Sequence, residues 1–229
     1  MFDKVSILMA YQPDHGPRDV IFRWVKQFYQ NTMPHVEICI GQPTYPLFNR
    51  AQGLNLAAKQ ATRDIFVIAD GDVLFAPATI LEAIQLLKHH AWVVPFHNRK
   101  IINLSKQNTE ELLRSEPKLP LQVKLREYDI ESQIPFFAGK LNVITRKNFN
   151  RVGGFDERFI GYGREDDAFA LAVNTLCGFM KRMDRMVFHL WHPHGGAISK
   201  RNENLRRLYL EAYGDPQKMY QLIQARKMR

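Results

Sequence analysis

The sequence predicts an α/β fold built around a largely parallel sheet, and three observations carry that expectation. Short apolar runs recur through the first hundred residues: Val5 to Ala10, VEICI, Ile65 to Ala69 and Trp92 to Phe96. Stretches with helical spacing separate them, so consecutive strands must be joined by right-handed crossovers. The run IFVIA carries no polar residue at all, as a central parallel strand buried on both faces requires.

Taken in order, Val5 to Ala10 reads as the first strand and YQPDHGP as a turn-rich loop. An amphipathic helix follows from about Arg18 to Gln30. VEICI is the second strand and GQPTYP a loop. Asn49 to Ala61 reads as a helix, with Leu54, Ala57, Ala58 and Ala61 on its apolar side. After IFVIA, Pro77 opens a helix that runs to about His89, because proline is tolerated in a first helical turn. Residues 97–134 lose this rhythm, are rich in charge and contain Pro117 and Pro120, as in a variable insertion. Order returns with IPFFAGKLNVITRKNF. The loop RVGGFDERFIGYG then leads to a helix near Glu165 to Cys177, a strand in RMVFHL and a basic helical tail. The reading is one domain over 1–229, with a nucleotide-binding half at 1–96 and an acceptor half at 135–229.

Composition narrows the function. The chain has 229 residues, 45% hydrophobic and 24% charged, as in an ordinary globular protein. No window approaches the roughly 18 apolar residues of a membrane span. The apolar N-terminal run is shorter than a signal-peptide core, so a cytoplasmic location is expected. Cys39 and Cys177 are too few for a disulfide framework and read as free thiols. The net charge of +9 favours anionic partners. Much of it lies after Ser199, in Lys200, Arg201, Arg206, Arg207, Lys218, Arg226, Lys227 and Arg229. That tail is either a solvated helical face or a contact to an anionic surface.

Three clusters carry chemistry. Asp70-Gly71-Asp72 follows the apolar strand directly, at the carboxyl end where open α/β sheets bind ligands. Residues i and i+2 of an extended chain point the same way, so the carboxylates are expected to project together. Gly71 would leave the backbone open to a ligand. A diphosphate and a carboxylate repel one another unless a divalent cation lies between them, which suits Mg²⁺ or Mn²⁺. Glu165, Asp166 and Asp167 open a helix behind Gly161-Tyr162-Gly163. Helix-dipole capping accounts for some acid there, but three adjacent acids exceed it, and one can act as a general base. His189, His192 and His194 stand within six positions near the end of a strand. An imidazole added to carboxylate oxygen favours Mn²⁺ over Mg²⁺.

In their order, FNRAQGLN (Phe48 to Asn55), DGD (Asp70 to Asp72), GGFDERFIGYGREDDAF (Gly153 to Phe169) and HLWH (His189 to His192) make the sequence resemble the β-1,4-galactosyltransferases and the related inverting family-2 glycosyltransferases. The resemblance covers most of the chain except about 97–133 and the last helix. It implies a GT-A fold: a single Rossmann-like domain with a mixed sheet and helices on both faces. It also implies a UDP-sugar donor, Mn²⁺ and transfer with inversion. By position, Phe48 and Arg50 would hold the uridine end of the donor, with Tyr11 at the end of the first strand, and Asp70 would hold the ribose. Asp72 would bind the metal, with His189 and His192 in the matching ligand positions. Asp166 would be the base, with Glu165 and Asp167 on acceptor hydroxyls and Tyr162 packing on sugar. Ala10-Tyr11-Gln12 replaces the family's proline-aromatic-arginine, and Ala168 replaces a further acid.

The expected function is therefore metal-dependent transfer of a hexose or N-acetylhexosamine from a UDP-sugar to a hydroxyl acceptor, such as a glycan. One alternative acceptor is a hydroxymethylated base in DNA, served by the basic tail. An alternative of another class is a non-catalytic nucleotide-sugar or nucleic-acid binding protein.

Overall fold

A computed structural model describes residues 2–122, 124, 128–130, 138–193 and 197–227. His194, expected as a third histidine ligand, lies outside the described residues. The strands are β1 (Val5–Ala10), β2 (Glu37–Gly41), β3 (Ile65–Ala69), β4 (Val73–Leu74), β5 (Trp92–Val94), β6 (Ile101–Leu104), β7 (Tyr128–Ile130), β8 (Leu141–Thr145), β9 (Met180–Arg182) and β10 (Val187–His189). The helices are α1 (Pro17–Thr32), α2 (Arg50–Gln60), α3 (Pro77–Leu86), α4 (Lys106–Leu113), α5 (Arg146–Arg151), α6 (Glu165–Leu176), α7 (Lys200–Ala212) and α8 (Pro216–Lys227).

Six strands form the main sheet in the order β2-β1-β3-β8-β5-β9. The front of it is parallel, with β1 between β2 and β3. Val5, Ile7, Leu8 and Met9 are all fully buried, so β1 is covered on both faces. Its apolar run, without alternation, is the sequence mark of that position. The sheet is not parallel throughout, however. β8 runs antiparallel to both β3 and β5. The chain leaves β5 to build a second sheet and re-enters beside the carboxyl end of β3, where the Asp70 amide donates to the Lys140 carbonyl at 2.9 Å.

The second sheet, β4-β10-β6-β7, corrects the sequence reading most. Within 97–134, Ile101–Leu104 forms β6, parallel to β10, and Lys106–Leu113 forms α4, capped by Ser105. These elements are short, and half their positions are polar, so periodicity alone did not reveal them. The short strand β4, directly after DGD, pairs antiparallel with β10. The basic tail is two helices, α7 and α8, broken at Gly214, and both pack on α6. No helix among the described residues is long and apolar enough to cross a membrane.

Candidate active site

The site forms where the two sheets meet, at the carboxyl end of β3. The chain leaves the strand at Ala69 and turns, so Asp70 and Asp72 do not lie on extended backbone. Their carboxylates consequently serve different partners. Asp70 faces α2 and Asp72 faces β10. Gly71 is required by packing: a Cβ there would stand 2.7 Å from Cδ2 of Phe22. That ring stacks on Tyr11, with centroids 4.0 Å apart. The expectation of an open path to a ligand gives way to a close helix contact.

Asp72, His189 and His192 come together. Nε2 of His192 is 3.1 Å from Asp72 Oδ2, and Nε2 of His189 is 3.6 Å from Asp72 Oδ1. The two imidazole rings stand nearly perpendicular, at 84°. Three potential ligand atoms, one from each residue, lie within 4.8 Å of one another, separations that one ion can span. Asp72 Oδ1 is buried without a hydrogen-bond partner, a costly arrangement for a charged oxygen. One carboxylate and two imidazoles make a mixed oxygen and nitrogen donor set, which a divalent transition metal such as Mn²⁺ accepts more readily than Mg²⁺. Burial opposes ionisation of Asp72, yet the hydrogen bond from His192 and the neighbouring imidazoles hold its carboxyl well below the usual range. Burial pushes His189 down to about 4, which keeps its imidazole neutral and able to ligate. The hydrogen bond to Asp72 raises His192.

Arg50, at the start of α2, organises the second cluster. Its Nε donates to Asp70 Oδ1 at 2.7 Å and its Nη1 to Asp166 Oδ1 at 2.7 Å. Glu165 Oε1 lies 3.5 Å from the same Nη1. Three carboxylates thus share one guanidinium. Burial raises Asp166 well above the ordinary range; Arg50 opposes this, while Glu165 and Asp70 add to it. Glu165 is raised as well, first by burial.

The other expected residues divide. Tyr11 is held by its hydroxyl, which donates to Asp19 Oδ1 at 2.9 Å. Phe48 is half-buried, and its carbonyl accepts from the Gly161 amide at 2.9 Å, tying two expected loops together. Tyr162 is 49% exposed beside them. Asp167 stands apart from Arg50: it accepts from Arg164 at 3.1 Å and from Arg206 of α7 at 3.0 Å. The Arg206 pair braces α6 against α7. Arg164 itself sits at φ +80°, a left-handed conformation uncommon outside glycine. Two participants escaped the sequence reading. Asn103 contacts His189, and Arg18 contacts His192 through Nη2 at 3.0 Å from Nδ1. Neither stands in a motif, because both reach the site only through tertiary pairing. A groove of about 650 Å³ lined by Phe28, Phe75, Leu121 and Phe188 contains none of these residues.

This architecture is the GT-A fold of glycosyltransferases, and comparisons with known proteins bear that out. A family described as the N-terminal domain of galactosyltransferase matches residues 119–193, about a third of the chain. A Drosophila β1,4-galactosyltransferase 7 mutant, in complex with manganese, UDP-Gal and xylobiose, superposes with a TM-score of 0.55 at 14% identity, covering 89% of this chain and 79% of that one. GalNAc-T7 with UDP, GalNAc and Mn²⁺ also gives 0.55, at 13% identity, over 93% of this chain and 48% of the other. The mannosyltransferase PcManGT from Pyrobaculum calidifontis, in complex with GDP-Man and Mn²⁺, gives 0.51 at 17% identity, over 97% and 68%. No curated protein matches the chain.

Proposed function

We propose that this protein is a metal-dependent glycosyltransferase that moves a hexose or N-acetylhexosamine from a nucleotide diphosphate, UDP first, to a hydroxyl acceptor with inversion. One observation carries the reading. A carboxylate-imidazole cluster suited to a divalent cation and a separate, Arg50-bound carboxylate, Asp166, share the carboxyl end of β3. A diphosphate donor needs the first and an alcohol acceptor the second. The galactosyltransferase match spans His189, His192 and the whole acidic loop, which supports the same division.

Asp72, His189 and His192 would hold the cation, which when bound offsets the charge that develops on the departing diphosphate. Arg50 and Asp70 lie on the nucleotide side. Phe48 and Tyr11 flank them as the candidates for base contact. Asp166 takes the acceptor proton at its carboxylate, and attack from the face opposite the leaving group inverts the anomeric centre. To do so it must be ionised and freed from Arg50, whose ion pair lowers its basicity. Glu165 and Tyr162 are the candidates for holding the acceptor sugar, and the brace of Asp167 to Arg206 keeps the first turn of α6 in place.

The test is transfer from a panel of nucleotide sugars with Mn²⁺, using Asp166→Asn and Asp72→Asn. Asp166→Asn should retain Mn²⁺-dependent UDP binding and lose about 10²–10⁴-fold in kcat, the usual worth of a general base. Asp72→Asn should lose metal-dependent UDP binding. Because burial raises the Asp166 carboxyl, the rising limb of the pH–rate profile should lie well above pH 4, and Asp166→Asn should flatten it. Unchanged turnover in Asp166→Asn would exclude it as the base.

A further inference from the structure

The candidate metal cluster lies at the end of β10, and the register of β10 with β6 places a side chain directly behind one histidine. In the parallel pair of β6 and β10, His189 stands opposite Asn103. Residues opposite one another on neighbouring strands share a face of the sheet, so their side chains meet. Nδ1 of His189 donates to Asn103 Oδ1 at 2.9 Å. An amide oxygen can only accept. The proton of the neutral ring is therefore fixed on Nδ1, and the lone pair of Nε2 is left pointing at Asp72.

His192 is held differently. Its Nδ1 lies 3.0 Å from Nη2 of Arg18 and 2.8 Å from the Pro193 carbonyl. Arg18 can only donate to that nitrogen, whereas the carbonyl can only accept from it. The two bonds demand opposite tautomers, and the contact of Nε2 with Asp72 Oδ2 at 3.1 Å sides with Arg18, placing a proton on the nitrogen that would ligate. His189 alone among the two has its ligating nitrogen set in advance.

We infer that Asn103 is a positioning residue for the cation site: it fixes the tautomer and orientation of His189 so that Nε2 is ready for a divalent metal. The inference rests on the metal-dependent reading above. Outer partners of a ligating histidine are typically worth 10–100-fold in metal affinity. The bond also gives β6 a function, because its register with β10 brings this side chain to the site.

The test uses the full chain and Mn²⁺ alone, read by electron paramagnetic resonance titration, with Asn103→Leu and Asn103→Asp. Leucine keeps the volume and removes the acceptor; aspartate keeps the acceptor. We expect Asn103→Leu to bind Mn²⁺ about 10–100-fold more weakly and Asn103→Asp to bind at least as tightly as wild type. In the metal-free protein, ¹⁵N NMR of the His189 ring should show one Nδ1-protonated tautomer in wild type and in Asn103→Asp, and a mixture in Asn103→Leu. Equal Mn²⁺ affinity in Asn103→Leu and wild type overturns the inference. So does equal loss in both variants, which would mean a packing role alone. Should Asn103→Leu not fold, the ring tautomer in wild type decides: an Nε2-protonated His189 overturns the inference. A wild-type protein that binds no Mn²⁺ at all defeats the metal-dependent reading, while the tautomer measurement still reports on Asn103.

Discussion

At the scale of single residues, the turn after β3 joins chemistry to packing at Gly71. Asp70 and Asp72 can face different partners because the chain bends between them, and the bend lies against α1. A methyl group at Gly71 would sit 2.7 Å from Phe22, whose ring cannot retreat because it stacks on Tyr11. Overpacking of this kind costs about 1–3 kcal/mol. Gly71→Ala should therefore lower the melting temperature by roughly 2–4 °C for each kcal/mol lost. It should also weaken Mn²⁺ binding, since the strain is relieved most cheaply by moving the turn that carries Asp72. An unchanged melting curve would show that Phe22 has room the structure does not give it. The residue identities of this site were legible in the sequence, because aspartate, glutamate and histidine declare their chemistry. The direction of each was not. Asp167 reads the same as Asp166 on paper, yet Asp166 meets Arg50 and Asp167 meets Arg164 and Arg206.

At the scale of elements, the parallel front of the sheet was legible because its strands are buried on both faces and need unbroken apolar runs. Val5–Ala10 and Ile65–Ala69 are found where their composition puts them. Strands only two to four residues long, such as β4, β6 and β7, are too short to carry such a signature, so the second sheet is hidden in the sequence. The edge strand β2 shows how a polar residue can stabilise that front. Glu37 stands opposite Ser6 in the β1–β2 register and accepts from the Ser6 hydroxyl. It also accepts from the amide and hydroxyl of Thr62, at 2.8 and 2.7 Å, which ties in the segment after α2. Burial pushes the carboxyl up, but these hydrogen bonds outweigh it and lower it from 4.5 to about 2. A carboxyl depressed on folding contributes stability above its unfolded value, and that stability is lost as pH falls from about 4.5 towards 2. Glu37→Gln should be less stable than wild type at pH 7, and the gap should close over that window. Urea unfolding at pH 7, 4 and 2.5 checks it. A gap independent of pH would assign the effect to lost packing.

At the scale of the whole molecule, the tail after Ser199 turns its charge inward as well as outward. Arg206 braces Asp167, and Arg226 donates to the Gly154 carbonyl at 3.0 Å and also to the Val152 carbonyl. Lys200, Arg201, Arg207 and Lys218 remain on the surface. The inward part is anchored by Tyr209, fully buried on α7. Its hydroxyl donates to Asp156 Oδ2 at 2.8 Å and accepts from Nη1 of Arg226 at 3.0 Å. One oxygen thus joins the loop before the acidic motif, α7 and α8. Tyr209→Phe keeps the ring and removes that oxygen, leaving a buried carboxylate oxygen and a guanidinium nitrogen each short of a partner. Such a loss costs about 1–3 kcal/mol. The urea midpoint should fall accordingly with an unchanged slope, because the same surface is exposed on unfolding. Tyr220→Phe, at a position 56% exposed, should leave the midpoint where it was. Because α7 and α8 pack on α6, whose first turn carries Glu165 and Asp166, the tail and the site should unfold in one transition. A Tyr209→Phe protein that melts in two steps, the tail before the sheet, would show that the tail is an appendage rather than part of the scaffold that holds Asp166.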